Sequence, residues 1–383
     1  VHSFSFYSMK KPRISDIIGI INRKFPFSLA QDWDNTGFQL GDATAFVDRI
    51  MVALDPLPEV VELAINTNCQ LLVTHHPLIF SPLHQITTAS TTGKTILKAA
   101  SNNLSLLSMH TNYDIANNGI NDLLAGIIGL QTLKPLKTTS SDNLLKFTVF
   151  VPAPNLADVR NALFEYTVNL GNYSSCSFTA SGTGTFKPLD GATPAIGSIG
   201  NLETVAEERL EILIPRENLT KVIRKLQLVH PYEEPAYDIY PVLNEAAPLG
   251  LGRIGHLEKP VCLADFATDI AHKLCTKTAR FVGKPEQQIR KIAICSGSGA
   301  SLLKDAIRQG ADLLLTGDVK YHEARDAEAA GIALLDCGHF ATEQPMVLAV
   351  TDFLEKACAK AGFTVQVTAA NCEADPFTGI PAT

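Results

Sequence analysis

Arg49-Ile50-Met51-Val52-Ala53-Leu54 and Gln70-Leu71-Leu72-Val73-Thr74-His75-His76-Pro77 are two apolar runs, separated by a segment, 57–66, that reads as a helix. Short apolar runs around an amphipathic helix are the signature of a β-α-β unit with buried parallel strands. Shifting the chain by 242 positions lays residues 50–76 on 292–318 without a gap. Ile50, Ala64, Ile65, Leu71, Leu72 and Thr74 then coincide with Ile292, Ala306, Ile307, Leu313, Leu314 and Thr316. Each copy is followed by a further apolar run, 104–107 and 332–335, leading into a histidine with a carboxylate four residues on: His110 with Asp114, and His339 with Glu343. The fold expected is therefore α/β, with two similar α/β halves whose strand-end loops meet around one site. Open α/β sheets bind ligands at the carboxyl ends of their strands.

Outward from these units, 14–25 reads as an opening amphipathic helix, with Ser15 as its cap and Pro26 as its stop. A polar loop follows, Asp32-Trp33-Asp34-Asn35-Thr36-Gly37, holding the only tryptophan. Segment 94–101 is expected to be helical, and 138–143 reads as a linker. Beyond it come strand 146–151, helix 156–167, an extended Gly/Ser/Thr-rich stretch 177–186, strand 210–214, helix 219–228 and strand 236–241. Two such β-α-β units predict a ferredoxin-like α+β insert. The Ala246-Ala247-Pro248-Leu249-Gly250 stretch returns the chain to the first fold. The expected domains are 1–138, an insert at 139–247, and 248–383.

Composition narrows the function classes. With 383 residues and 46% hydrophobic content the chain can form two or three ordinary cores. A net charge of -7 and a pI near 5.8 leave no basic excess to neutralise phosphates, so nucleic acid is an unexpected partner. The apolar runs are too short to span a bilayer. Residues 1–7 lack the charged and apolar regions of a secretory signal, and either Val1 or Met9 could be the native start. Eight scattered cysteines without CxxC spacing suit reduced thiols in a cytoplasmic protein better than a disulfide framework or a thiolate zinc site.

Adjacent histidines on a strand point to opposite faces, so His75 and His76 can converge only just past the strand end. There each could serve a different one of two close metals, or the pair could simply be hydrogen-bonded in a loop. If the segments after His110 and His339 turn helically, i and i+4 side chains share a face. A carboxylate can then bridge two cations while each imidazole binds one. Such nitrogen and oxygen donors suit zinc first, and also manganese or iron. Singly, Asp114 could be a helix cap and His339–Glu343 a surface ion pair; three clusters at matching strand ends favour metal. His322 and Glu323 follow Thr316-Gly317-Asp318, and His110 and His322 are candidate proton carriers. His230 belongs to the insert and is expected to order a turn or subunit contact, whereas His84, His256 and His272 read as structural or surface residues. Gly297-Ser298-Gly299 could admit a phosphate or simply form a tight turn.

At these residues the chain resembles the GTP cyclohydrolase 1 type 2 homologue family, the NGG-interacting-factor-like proteins. The resemblance is carried by Asp34-Asn35-Thr36-Gly37-Phe38-Gln39-Leu40-Gly41-Asp42, Thr74-His75-His76-Pro77-Leu78, His110-Thr111-Asn112-Tyr113-Asp114, the 316–324 segment and Asp336-Cys337-Gly338-His339-Phe340-Ala341-Thr342-Glu343. Tyr113 replaces the leucine usual in that motif, at a position that is not a ligand. The resemblance implies a dinuclear centre of two divalent metals held by His75, His76, Asp114, His339 and Glu343, with His110 close by. Segment 230–238 makes the insert similar to PII and CutA proteins, which implies trimerisation and a ring-like homohexamer. The function implied is a metal-dependent hydrolase of a small nucleotide or related heterocycle, GTP cyclohydrolase-like by resemblance. The alternatives are a metal-binding regulator whose insert senses a ligand or partner, and a nucleic-acid phosphoesterase, which the acidic balance disfavours.

Overall fold

Ile14, Ile17 and Ile21 place one apolar stripe on the first helix, α1 (Ile14–Lys24), and all three are buried. Its N-cap is Arg13, whose N–H donates to Asp16 Oδ2 at 2.8 Å. Ser15, expected as the cap, lies inside the first turn, because the chain turns helical two residues earlier than the polarity pattern suggests. This computed structural model of the chain describes residues 10–140, 143–171, 173–245 and 248–378. The candidate starts Val1 and Met9, and the return residues Ala246 and Ala247, lie outside the described residues. Clustering of the backbone separates Ser141–Pro248 from a unit made of the chain on both sides of it.

The first half of the outer unit contains β1 (Gly37–Leu40), β2 (Arg49–Ala53), α2 (Pro58–Asn66), β3 (Leu71–Thr74), α3 (Thr91–Ser101), β4 (Ser105–Ser108), α4 (Thr111–Ile115), α5 (Ile120–Ile128) and β5 (Gln131–Ser140). The polar stretch read as a linker is thus partly strand, because its first residues complete β5. The inserted unit runs β6 (Asn143–Pro152), α6 (Leu156–Leu163), β7 (Ser177–Phe186), β8 (Glu203–Pro215), α7 (Leu219–Val229) and β9 (Tyr237–Glu245). Its antiparallel sheet has the order β7-β8-β6-β9, the split β-α-β arrangement. Leu145, Phe147, Val149 and Val151, alternating along β6, pack on Val159, Leu163, Val222 and Leu226 of the two helices.

The second half of the outer unit comprises β10 (Leu249–Cys262), α8 (Leu263–Lys273), β11 (Arg280–Val282), β12 (Gln288–Ile294), α9 (Leu303–Arg308), β13 (Leu313–Thr316), α10 (Tyr321–Ala330), β14 (Ala333–Asp336), α11 (His339–Glu343), α12 (Pro345–Lys360) and β15 (Gln366–Ala369). The repeat is real in register: Ile50 pairs in parallel with Leu71, and Ile292 with Leu313, the same pair 242 positions on. Both central strands are buried on both faces. Leu71 and Val73 join one core and Leu72 another, just as Leu313 and Leu315 separate from Leu314.

Each half also lends a helix and a strand to the other's sheet. The sheets have the orders β1-β4-β3-β2-β15 and β11-β14-β13-β12-β10-β5. Met346, Val350 and Leu354 of α12 fill the core beneath Ile50 and Leu71, while Leu124, Ala125 and Ile128 of α5 fill the core beneath Ile292 and Leu313. Arg253 on β10 fastens the crossing: its buried guanidinium donates to both carboxylate oxygens of Asp122 and to the carbonyls of Ile115 and Ala116. All eight cysteines are free, four of them buried. No described helix is long and apolar enough to cross a membrane.

Candidate metal centre

Three chain segments, each just past a parallel strand, converge within the outer unit. After β3 the backbone turns over the end of β2, so the amides of His75 and His76 both reach the Leu54 carbonyl, at 3.1 and 3.0 Å. The Thr74 hydroxyl donates to the His76 carbonyl at 2.7 Å and tightens the turn. This departure from strand geometry brings the two rings to 5.0 Å, centroid to centroid. After β4, His110 caps α4 and Asp114 follows within that helix; after β14, α11 carries His339 and Glu343 on one face.

The Glu343 carboxylate is the hub. Its Oε1 lies 3.5 Å from His75 Nε2, and its Oε2 lies 3.1 Å from His76 Nε2 and 3.0 Å from His339 Nε2. Asp114 Oδ1 stands 3.7 Å from His75 Nε2, and His76 Nε2 is 3.3 Å from His339 Nε2. Among the described residues two overlapping groups have the spacing to hold an ion, His75 with His76 and His110, and His76 with His339 and Glu343. His75 is fully buried and Glu343 nearly so.

What surrounds the rings decides their tautomers. His75 Nδ1 donates to the Met109 carbonyl at 2.8 Å, His76 Nδ1 to Asp55 at 2.8 Å, His110 Nδ1 to Asp34 at 2.7 Å, and His339 Nδ1 to Asp318 at 2.6 Å. A carbonyl or carboxylate can only accept, so each outer nitrogen carries a proton and each Nε2 faces inward, where it becomes a metal donor once any second proton leaves. His75 Nε2 and Asp114 Oδ1 are buried without a hydrogen bond. Burying such acceptors unpaired costs several kcal/mol unless positive charge joins them.

Electrostatics point the same way. Burial works against charge on His76, but Asp55 and Glu343 outweigh it and lift its pKa to about 10. His339 is similarly lifted to about 9, against burial, by Glu343 and Asp318. Burial raises Asp114, with Glu343 adding to the effect, whereas the surrounding imidazoles hold Glu343 well below its ordinary value despite burial. The carboxylates set a negative potential around the rings, and a cation binding there would have to displace the protons that this potential holds on His76 and His339.

Asp34 explains the polar loop quoted from the sequence. Burial opposes its charge, but His110 and Thr111 donate to its carboxylate and keep its pKa low. Asp55 and Asp318 went unassigned in the sequence reading, although each stands just past a strand end, one element over from the histidine it supports. Glu373 also escaped it; its carboxylate takes the amides of Leu54 and Asp55 and braces the loop that holds His76. Of the candidates named from sequence, His75, His76, His110, Asp114, His339 and Glu343 come together. His322 does not join them; it is exposed in the first turn of α10, its ring edge-on to Tyr321. His230 orders a turn of the insert, its Nδ1 accepting from the Tyr232 amide and its Nε2 bonding the Phe150 carbonyl. The Gly297–Gly299 turn serves the centre directly: Gly297 accepts the Gly317 amide and faces Glu343.

Known proteins share this plan from end to end. The chain is 40% identical over 373 residues to the GTP cyclohydrolase 1 type 2 homolog of Halalkalibacterium halodurans, covering 97% of this chain and 100% of that protein. It is 38% identical to the Bacillus subtilis protein of the same name, over 94% of this chain and 97% of that one. The crystal structure of a Bacillus cereus protein related to NIF3 superposes with a TM-score of 0.87 at 38% identity, over 97% of this chain and all of that one. The family model described as Duf34/NIF3 (NGG1p interacting factor 3) matches residues 12–376, and the chain belongs to that family.

Proposed function

We propose that this chain is a hydrolase that uses two divalent metal ions on a small nucleotide or related heterocycle. The observation that supports the reading is the convergence of Nε2 atoms, each with its Nδ1 held by an outer acceptor, on two buried carboxylates, with His75 Nε2 and Asp114 Oδ1 left without a hydrogen bond. His75, His76, Asp114, His339 and Glu343 are the residues that would hold the ions. Divalent ions of this kind supply Lewis acidity and make water ionisable near neutral pH. His110, oriented by Asp34, is placed to hold or pass a proton beside the ligands. Zinc is the proposed metal, before manganese or iron. The GTP cyclohydrolase name of the relatives motivates GTP as the first substrate to try.

Metal analysis of the purified protein beside His76→Ala tests the ligand set: two metals per chain are expected in the wild type and fewer in the variant, and full retention in the variant would break the assignment. Incubation of the metal-loaded protein with nucleotides and phosphoesters tests the hydrolase. Absence of any turnover with metals bound would favour the second reading, a metal-binding regulator. That reading draws on the insert, where a cleft of about 610 Å³ is lined by Phe186, Ile196, Arg209 and Tyr232. The insert's resemblance to PII and CutA proteins further supports a trimer-based homo-oligomer, which sedimentation would measure.

A further inference from the structure

Two large aromatic rings stand in solvent beside the centre. Trp33 is 59% exposed and Phe80 is 52% exposed, although their chain neighbours are firmly held. Asp34, next to Trp33, takes hydrogen bonds from His110 and Thr111. Ile79, next to Phe80, exchanges backbone-to-amide hydrogen bonds with Gln39 and accepts another from Asn35. The rings lie 6.0 Å apart, tilted by 48°, and both stand edge-on to His110, at 6.0 and 6.4 Å. They are too close to admit a third ring between them, so they form a wall rather than a clamp. Burying a face of either ring would recover apolar area that the free protein leaves wet.

We infer that Trp33 and Phe80 are the stacking wall of the substrate site, and that it recognises the flat face of a heteroaromatic ring. The wall is uncharged and aromatic, so it recognises the flat face of a base. It adjoins His110, so a ring lying on it is next to the proposed metal ligands. A free phosphate has no flat apolar face to offer such a wall. The inference rests on the reading of the centre as a nucleotide-directed metal site and adds the part of the substrate that is recognised.

Trp33 is the chain's single tryptophan, so its fluorescence reports the wall directly. Full-length protein of measured metal content is titrated with guanosine, GTP and inorganic tripolyphosphate. Quenching by guanosine and GTP, but not by tripolyphosphate, is expected. Calorimetry should find guanosine binding weakened about tenfold in Trp33→Ala and largely restored in Trp33→Phe, the scale of one base–aromatic stack. Equal quenching by tripolyphosphate, or unchanged guanosine affinity in both Trp33→Ala and Phe80→Ala, would overturn the inference. The two readings fail separately. Two bound metals without base-dependent quenching removes the wall alone, and base-dependent quenching in protein that takes up no divalent ion on reconstitution keeps the wall while removing the metal reading.

Discussion

His76 and His339 meet through their Nε2 atoms because Asp55 and Asp318 hold the opposite ring nitrogens. A free imidazole can place its proton on either nitrogen, so these aspartates decide whether the site presents donors or acceptors. At this scale Gly297 is as constrained as any ligand. A Cβ there would lie 2.2 Å from Glu343 Oε1 and 3.2 Å from His339 Nε2, at a φ of +58° that side chains rarely adopt. Gly297→Ala is therefore expected to reduce metal content below one ion per chain while circular dichroism stays close to wild type. Unchanged metal content would show that the Glu343 carboxylate can move aside without loss.

The helices that matter most at the element scale are α5 and α12, each seated in the core of the other half's sheet. Leu354 of α12 is fully buried against α1 and the first sheet, yet it lies on the chain that carries His339 and Glu343. Leu354→Ala should destabilise the outer unit by about 2–5 kcal/mol, the ordinary cost of emptying such a site. The loss should appear as a lower unfolding midpoint, accompanied by easier metal release to a chelator, because α12 ties the two sets of donors together. A lowered midpoint with unaltered chelator release would mean that the centre does not depend on the exchange.

For the whole molecule, the insert leaves the outer unit at a paired position: Ser140 stands opposite Leu249 in the antiparallel β5–β10 ladder. Two strands that end side by side can be joined by a two-residue hairpin turn. Replacing residues 141–248 with Asn-Gly is therefore expected to leave a folded outer unit that still binds two metals, read by metal analysis and a cooperative thermal transition. An outer unit that aggregates or loses its metals would make the insert part of the centre's support.

Much of the centre could be read from the chain because its determinants are local. Apolar runs of strand length set the β-α-β units, and four-residue spacing set His339 and Glu343 on one helical face. The 242-position repeat by itself implies two related halves. Three things were not local. The cap of α1 depends on where its backbone first turns, not on which residue is polar. The roles of Asp55, Asp318 and Glu373 depend on neighbouring strands carrying loops from distant sequence to hydrogen-bonding range. The exchange of α5 and α12 depends on which sheet each apolar face can cover, a choice that periodicity leaves open because both sheets offer the same aliphatic surface. The sequence by itself determined the candidate donors, the strands that present them and the expectation that they meet at one site. Only the tertiary structure decided how they meet, because the crossing helices pack the two sheets together and bring His75 and His76 of one half against Glu343 of the other.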